Sequence, residues 1–236
     1  MSNFLHDSQY QQAIASCSPG IVNFLKKLDE ADLPGLRARA VSDGSALRVV
    51  EGVRSFESQI DCYCKGRKVD YVWVPDGLKV YPAICPDYTK ITDKKKIVTY
   101  AWAGQSYHNY GLAVDIIFRD KGYDVGKADY INAGVVDFAA KCGIVWGGSW
   151  TKLVDLCHFQ DESYGIPDDM PEHIDRLGKT YFYNKAWDKS ASWRTLGGSA
   201  NPVQSDGKIN YKALAAALGV PLALLAAWLC FGRKDR

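Results

Sequence analysis

Apolar residues recur at helical spacing over residues 18–31, where Ile21, Phe24, Leu25 and Leu28 fall on one stripe. Pro19 directly after Ser18 suits a first helical turn, so a helix is expected there. Residues 47–53, LRVVEGV, read as a strand running into Arg54-Ser55-Phe56-Glu57-Ser58-Gln59, which opens a second helix. Residues 97–100 and 111–118 are strand-like, the latter (GLAVDIIF) being alternating and β-branched. Residues 128–142 read as one helix, with Ile131, Val135, Phe138 and Ala139 on a stripe and Gly143 as its stop. Trp146-Gly147-Gly148 marks a turn, and residues 157–160 a further strand.

Two stretches break this periodicity. Residues 66–96 mix Gly, Pro, Asp and Lys with aromatics, which predicts a long loop or an inserted hairpin. Residues 190–207 are rich in Ser, Gly, Asn and Pro and read as a linker. The expected division is a domain over 1–188, a linker over 189–211 and a terminal segment over 212–236. Within the last, residues 213–231 carry no charge, and 19 residues reach the length of a bilayer span. Lys208 and Lys212 flank it on one side and Arg233, Lys234 and Arg236 on the other, with Trp228 near an end. A membrane-inserted apolar helix with a basic tail is the expectation. A buried or interface helix is the alternative, since Gly219 and Pro221 weaken the insertion signal.

Composition narrows the class of protein. Hydrophobic residues at 47% and charged residues at 24% argue for a folded chain. A net charge of +2 gives no reason to expect nucleic acid as partner. The seven cysteines (positions 17, 62, 64, 85, 142, 157 and 230) form no C-x-x-C pair, and Cys62-x-Cys64 lacks a second pair to complete a zinc site. Free thiols in a reducing cytoplasm are expected. The N-terminus, MSNFLHDSQYQQAIAS, shows no basic start and apolar run, so no signal peptide is expected.

With four histidines in the chain, the placement of two is informative. His108 precedes Asp115 by seven positions, and Asp115 lies in an apolar strand, where a carboxylate is costly unless paired or bound to a cation. If Leu112, Val114 and Ile116 face the core, Asp115 faces the other side with Ala113; Gly111 permits a bend that folds His108 over that face. Downstream, Asp155 and His158 share a side only if the chain turns between them. Both a metal site and a set of ordinary hydrogen-bonded His and capping Asp residues remain open on this pattern. His6 and His173 suggest no role.

The segment Ser106-Tyr107-His108-Asn109-Tyr110-Gly111-Leu112-Ala113-Val114-Asp115 resembles the S-x-H-x-x-G-x-A-x-D signature of phage L-alanyl-D-glutamate endopeptidases and the related D-alanyl-D-alanine carboxypeptidases. Trp146-Gly147-Gly148-Ser149-Trp150, followed by Asp155-x-x-His158-Phe159, is similar to that family's second motif. Arg54-Ser55-Phe56 with Gln59 is similar to its upstream R-S-Y/F-x-x-Q element. The three motifs stand in the family's order and span roughly residues 20–160.

This resemblance implies an α+β fold of the hedgehog and D-alanyl-D-alanine peptidase type, a small antiparallel sheet backed by helices. It implies a Zn2+ ion held by His108, Asp115 and His158, with Asp155 as general base and Arg54 stabilising an oxyanion. Ser106 and Gln59 would help hold substrate. The implied activity is hydrolysis of bacterial peptidoglycan peptides at the L-Ala–D-Glu bond, in host lysis by a phage. The segment between Gly66 and Ile97 is longer than the usual connection, which leaves substrate preference open. The alternatives are a carboxypeptidase trimming D-alanine, a zinc-stabilised wall-binding module without turnover, or a membrane-permeabilising factor acting through residues 213–231. The chain is expected to be made in the cytoplasm and to act on the cell wall.

Overall fold

Asp7 starts the first helix, α1 (Ser8–Ser16), by accepting hydrogen bonds from the Gln9 and Tyr10 N–H groups. Its other oxygen accepts from the Val49 N–H at 2.6 Å, tying that cap to the sheet. The helix was not foreseen. Ser18 caps α2 (Pro19–Glu30), whose Ile21, Phe24, Leu25 and Leu28 stripe is fully buried. Burial of each such side chain stabilises by about 1.5–3 kcal/mol. A short α3 (Pro34–Arg37) follows. The computed structural model describes residues 2–5, 7–68, 72–73, 79–80, 91–164, 166, 174–175, 180–181 and 192–194.

The expected strand at 47–53 is β1 (Leu47–Glu51), which ends two residues early. Ser55 caps α4 (Phe56–Cys64) by accepting from the Ser58 N–H. In the 66–96 stretch, β2 (Val72–Trp73) pairs antiparallel with β3 (Lys79–Val80), as an inserted hairpin would. An isolated bridge between Arg67 and Ile91 joins the two ends of the stretch. The strand expected at 97–100 does not form. Arg67 donates to the Thr99 carbonyl there, no strand ladder takes up the segment, and Val98 and Tyr100 are exposed.

The 111–118 strand is β4 (Ala113–Phe118). The helix expected over 128–142 is instead two, α5 (Lys127–Asn132) and α6 (Val135–Lys141). Gly134, at φ +78°, takes a left-handed conformation that interrupts the helix. The break displaces only the first part of the expected stripe: Ile131 is 52% exposed and Tyr130 and Ala133 are buried instead, while Val135 and Ala139 are buried and Phe138 packs against the core as expected. Then come β5 (Val145–Trp146), β6 (His158–Gln160), and a separate pair, β7 (Ile174–Asp175) with β8 (Thr180–Tyr181).

The central sheet is antiparallel in the order β1-β4-β6-β5. Leu47, Val49, Val114, Ile116, Phe118, Trp146 and Phe159 join the α2 stripe in one core. The fold is therefore α+β, a small antiparallel sheet backed by helices, as the motifs imply. Trp193, from the expected linker, lies against this domain: its N–H donates to the Tyr110 carbonyl at 2.7 Å and its indole to Ser16 at 3.2 Å. Cys17, Cys62, Cys142 and Cys157 are in the reduced thiol form. Residues 213–231, Cys85, Cys230, His6 and His173 lie outside the described residues. Among the described residues no helix is long and apolar enough to cross a membrane.

Candidate metal centre

Alternation in β4 puts Val114 and Ile116 into the core and Asp115 on the opposite face. Asp115 and His158 are directly opposed in the β4–β6 ladder, so their side chains share that face. The turn required between Asp155 and His158 is present. The Asp155 N–H donates to the Gly147 carbonyl (3.2 Å), and the Trp146 indole donates to the Leu156 carbonyl (2.7 Å). Gly147 has to be this small, because a Cβ there would stand 2.7 Å from the Asp155 carbonyl oxygen.

His108 comes from a 3₁₀ turn over Tyr107–Tyr110 that Gly111 ends in the left-handed region, at φ +70°. After Leu112 the chain enters β4, so the turn folds back over the Asp115 face. Two hydrogen bonds fasten it there: the Arg54 N–H donates to the His108 carbonyl (3.0 Å), and the Asn109 side-chain amide donates to the Arg54 carbonyl (2.9 Å). The upstream and central motifs thus meet directly.

Three atoms converge. His108 Nε2 lies 3.1 Å from His158 Nδ1, and each lies 3.2 Å from Asp115 Oδ1. Hydrogen-bond partners on the far side of each ring assign the tautomers. His108 Nδ1 is 2.8 Å from the Gly52 carbonyl, which can only accept, so Nδ1 carries the proton and Nε2 a lone pair. The Gln160 amide nitrogen donates to Glu162 Oε1 at 2.6 Å, which turns Gln160 Oε1 toward His158 Nε2 at 2.9 Å. His158 Nε2 therefore donates, and Nδ1 holds the lone pair.

Two imidazole lone pairs and a carboxylate oxygen then face one another with no hydrogen between them. A cation resolves that arrangement. Ligand atoms held about 2.1 Å from one tetrahedral ion stand about 3.4 Å apart, close to the triangle present here. The donor set of two imidazoles and one carboxylate suits zinc, and the set leaves room in a four-coordinate shell for one more ligand. Burial opposes ionisation of Asp115; without a cation, a protonated imidazole at His108 or His158 takes the cation's place, and that charge outweighs burial and holds the carboxyl well below the usual range.

Asp155 is half-buried and accepts from the Cys157 thiol at 3.2 Å. Burial, then the Asp115 and Asp155 charges, push that thiol up, so it stays a donor. Arg54 is largely buried: Nη1 donates to Gln59 Oε1 (2.8 Å), and Nη2 pairs with Glu51 and lies 3.7 Å from Asp115 Oδ2. Among the described residues its buried Nε–H finds no hydrogen-bond partner. Gln59 is fully buried and also donates to the Ala101 carbonyl at 2.7 Å, so it reaches the site only through Arg54. Ser106 is partly buried at the start of the His108 turn, and its backbone N–H points to Asn109 Oδ1 at 3.4 Å. Trp150 packs tilted against His158, ring centroids 5.1 Å apart and planes at 48°, and lines an open depression of about 440 Å³ with Ser149, Thr151, Lys152 and Leu153.

Glu51 was missed. In plain alternation it follows Leu47 and Val49 into the core, and nothing in the composition signals otherwise. A bulge does: Val49 opposes Ile116 but Glu51 opposes Asp115, leaving Val50 as the extra residue.

Residues 99–161 match a peptidase M15 family model described as D-alanyl-D-alanine carboxypeptidase. The chain is 33% identical over 136 residues to "Peptidoglycan L-alanyl-D-glutamate endopeptidase CwlK" of Bacillus subtilis (strain 168), across 53% of this chain and 66% of that protein. It thus spans slightly under two thirds of that relative's length. A crystal structure of the Serratia marcescens L-Ala D-Glu endopeptidase ChiX aligns over 65% of this chain and 86% of that one, at 19% identity and a TM-score of 0.38, too loose to bear on the fold. The resemblance carried by the three motifs to L-alanyl-D-glutamate endopeptidases and D-alanyl-D-alanine carboxypeptidases is borne out. A phage association is not part of these matches.

Proposed function

We propose that the chain is a zinc-dependent peptidase acting on the stem peptides of bacterial peptidoglycan, cutting the L-Ala–D-Glu bond. The observation that carries this is the donor-free triangle of His108 Nε2, Asp115 Oδ1 and His158 Nδ1, beside an acid and a guanidinium. The similarity to a named L-alanyl-D-glutamate endopeptidase supports the choice of bond. Host lysis by a phage is the setting that the sequence motifs suggest.

His108, Asp115 and His158 would hold the ion. When bound, zinc supplies Lewis acidity to a water molecule and to the scissile carbonyl. Asp155, on the loop beside His158, takes the proton of the attacking water and returns it to the leaving amine. The Cys157 thiol, by donating to Asp155, orients that carboxylate. Arg54 brings fixed positive charge to the side of Asp115 and stabilises the oxygen as it becomes negative. Gln59 keeps the guanidinium in place, a role for this residue different from direct contact with substrate. Trp150 offers a flat apolar wall for the peptide next to His158.

Digestion of purified peptidoglycan, with and without a chelator, followed by identification of the new termini, tests the reading. New D-Glu amino termini that vanish with chelator are expected. Release of free D-alanine would instead favour carboxypeptidase action, which the family description supports. Wall binding without new termini would favour a binding module.

A further inference from the structure

The bulge in β1 does more than end a strand. Without it, Val50 would oppose Asp115, and Glu51 would oppose Val114 and point into the core. With it, Glu51 sits across from Asp115 on the face that carries His108 and His158. The acid is not solvated there as a bystander. It forms an ion pair with Arg54 Nη2, the same nitrogen that lies 3.7 Å from Asp115 Oδ2. Arg54 is therefore gripped from two directions, by Glu51 at Nη2 and by the buried amide of Gln59 at Nη1. The Glu51 side chain is one-third exposed and that of Arg54 only 11% exposed, so the acid stands on the solvent side of the cation.

We infer that Glu51 is a positioning residue for Arg54, re-aimed by the β1 bulge onto the face of Asp115. This rests on the reading of Arg54 as the group that stabilises the developing oxyanion. Asp115 would be spoken for by a metal ion, and Gln59 is neutral. Glu51 is thus the carboxylate left to fix the guanidinium plane and to balance its charge in a largely buried position. A guanidinium held by one partner alone swings about its stem, and misplacement by about 1 Å of a group acting on the transition state costs up to about a hundredfold in rate.

The test is a double-mutant cycle on the zinc-loaded full chain with a defined stem peptide. E51Q keeps the shape and removes the charge. Its kcat is expected to fall about tenfold to a hundredfold with KM changed far less, and E51Q should cost nothing further in an R54A background. An equal fall in both backgrounds, or unchanged kcat in E51Q, would overturn the inference. A second readout needs no turnover: ¹⁵N spectra of the Arg54 guanidinium should show Nη protons protected from exchange in the wild type and released in E51Q. Free exchange already in the wild type would also overturn it. Protected Nη protons in a chain that cuts no wall peptide would leave Glu51's role standing and remove the proposed function instead.

Discussion

His108 Nε2 and His158 Nδ1 face each other at 3.1 Å, each with its proton committed on the far side of its ring, to Gly52 and Gln160. Two lone pairs at that separation repel, and Asp115 Oδ1 adds a third acceptor to the same point. One equivalent of zinc per chain is the expected result of elemental analysis, with loss of both metal and activity on chelation and in His158→Ala. The partners behind the ligands matter as well. Gln160→Leu removes the acceptor that sets the His158 tautomer, and zinc affinity should drop about 10- to 100-fold in competition with a chelator. An unchanged affinity would show that the Glu162–Gln160–His158 chain has no bearing on the tautomer.

Asp155 is the proposed base and not one of the proposed ligands. Its carboxylate accepts from Cys157 and lies outside the triangle of ligand atoms. Asp155→Asn should retain full zinc content while kcat falls about 10²- to 10⁴-fold. Metal analysis and peptide hydrolysis on the same preparation decide it, and an active Asn variant would remove Asp155 from the proton transfer.

Gly20 makes a prediction about stability. Asp161 is buried at the start of α2, accepting from the Ser18 hydroxyl at 2.8 Å, and a Cβ at position 20 would stand 2.1 Å from Asp161 Oδ2. Gly20→Ala should destabilise by about 1–3 kcal/mol, although alanine favours helices in general. Denaturant unfolding that finds the variant as stable as the parent would mean Asp161 moves aside freely.

Asp129 predicts a pH dependence. The Gly126 N–H, then Lys121 and Arg39, pull its carboxyl down to about 2. The native state thus favours the ionised form more than the unfolded chain does. Asp129 therefore contributes stability that is full above the unfolded value, about 3.9, and is lost as pH falls through about 2. The stability gap between the wild type and Asp129→Asn should hold constant above pH 5 and narrow in acid. An NMR titration placing this carboxyl near 4 would contradict the assignment.

How far the sequence could be read depended on how local each signal was. Ser18-Pro19 announces α2 because capping and proline geometry act within four residues. Gly111 announces the bend under His108 for the same reason. The break at Gly134 was hidden because glycine alone does not reveal the sign of its φ, and the hydrophobic stripe ran through it. The 97–100 stretch has strand composition, yet a strand also needs a neighbour, and Arg67 takes the Thr99 carbonyl instead. Glu51 was hardest. A bulge depends on how β1 meets β4, a strand more than sixty positions away, and no local pattern carries that. The triangle of His108, Asp115 and His158 was legible as residues but not as tautomers, which depend on Gly52, Gln160 and Glu162.

The stretch between Gly66 and Thr92 begins and ends at nearly the same place. The Thr92 and Asp93 N–H groups both donate to the Gly66 carbonyl, at 2.9 and 3.1 Å, and Arg67 bridges to Ile91. To the chain on either side, an excursion with a closed neck is equivalent to a short turn. Lengthening it costs only a logarithm, about 0.6 kcal/mol for each doubling. The hydrogen bonds that join Arg54 to the His108 turn do not pass through that excursion. What lies beyond the neck can therefore be lengthened or replaced without disturbing the contact between Arg54 and the His108 turn, as long as Gly66 and Arg67 keep the neck closed.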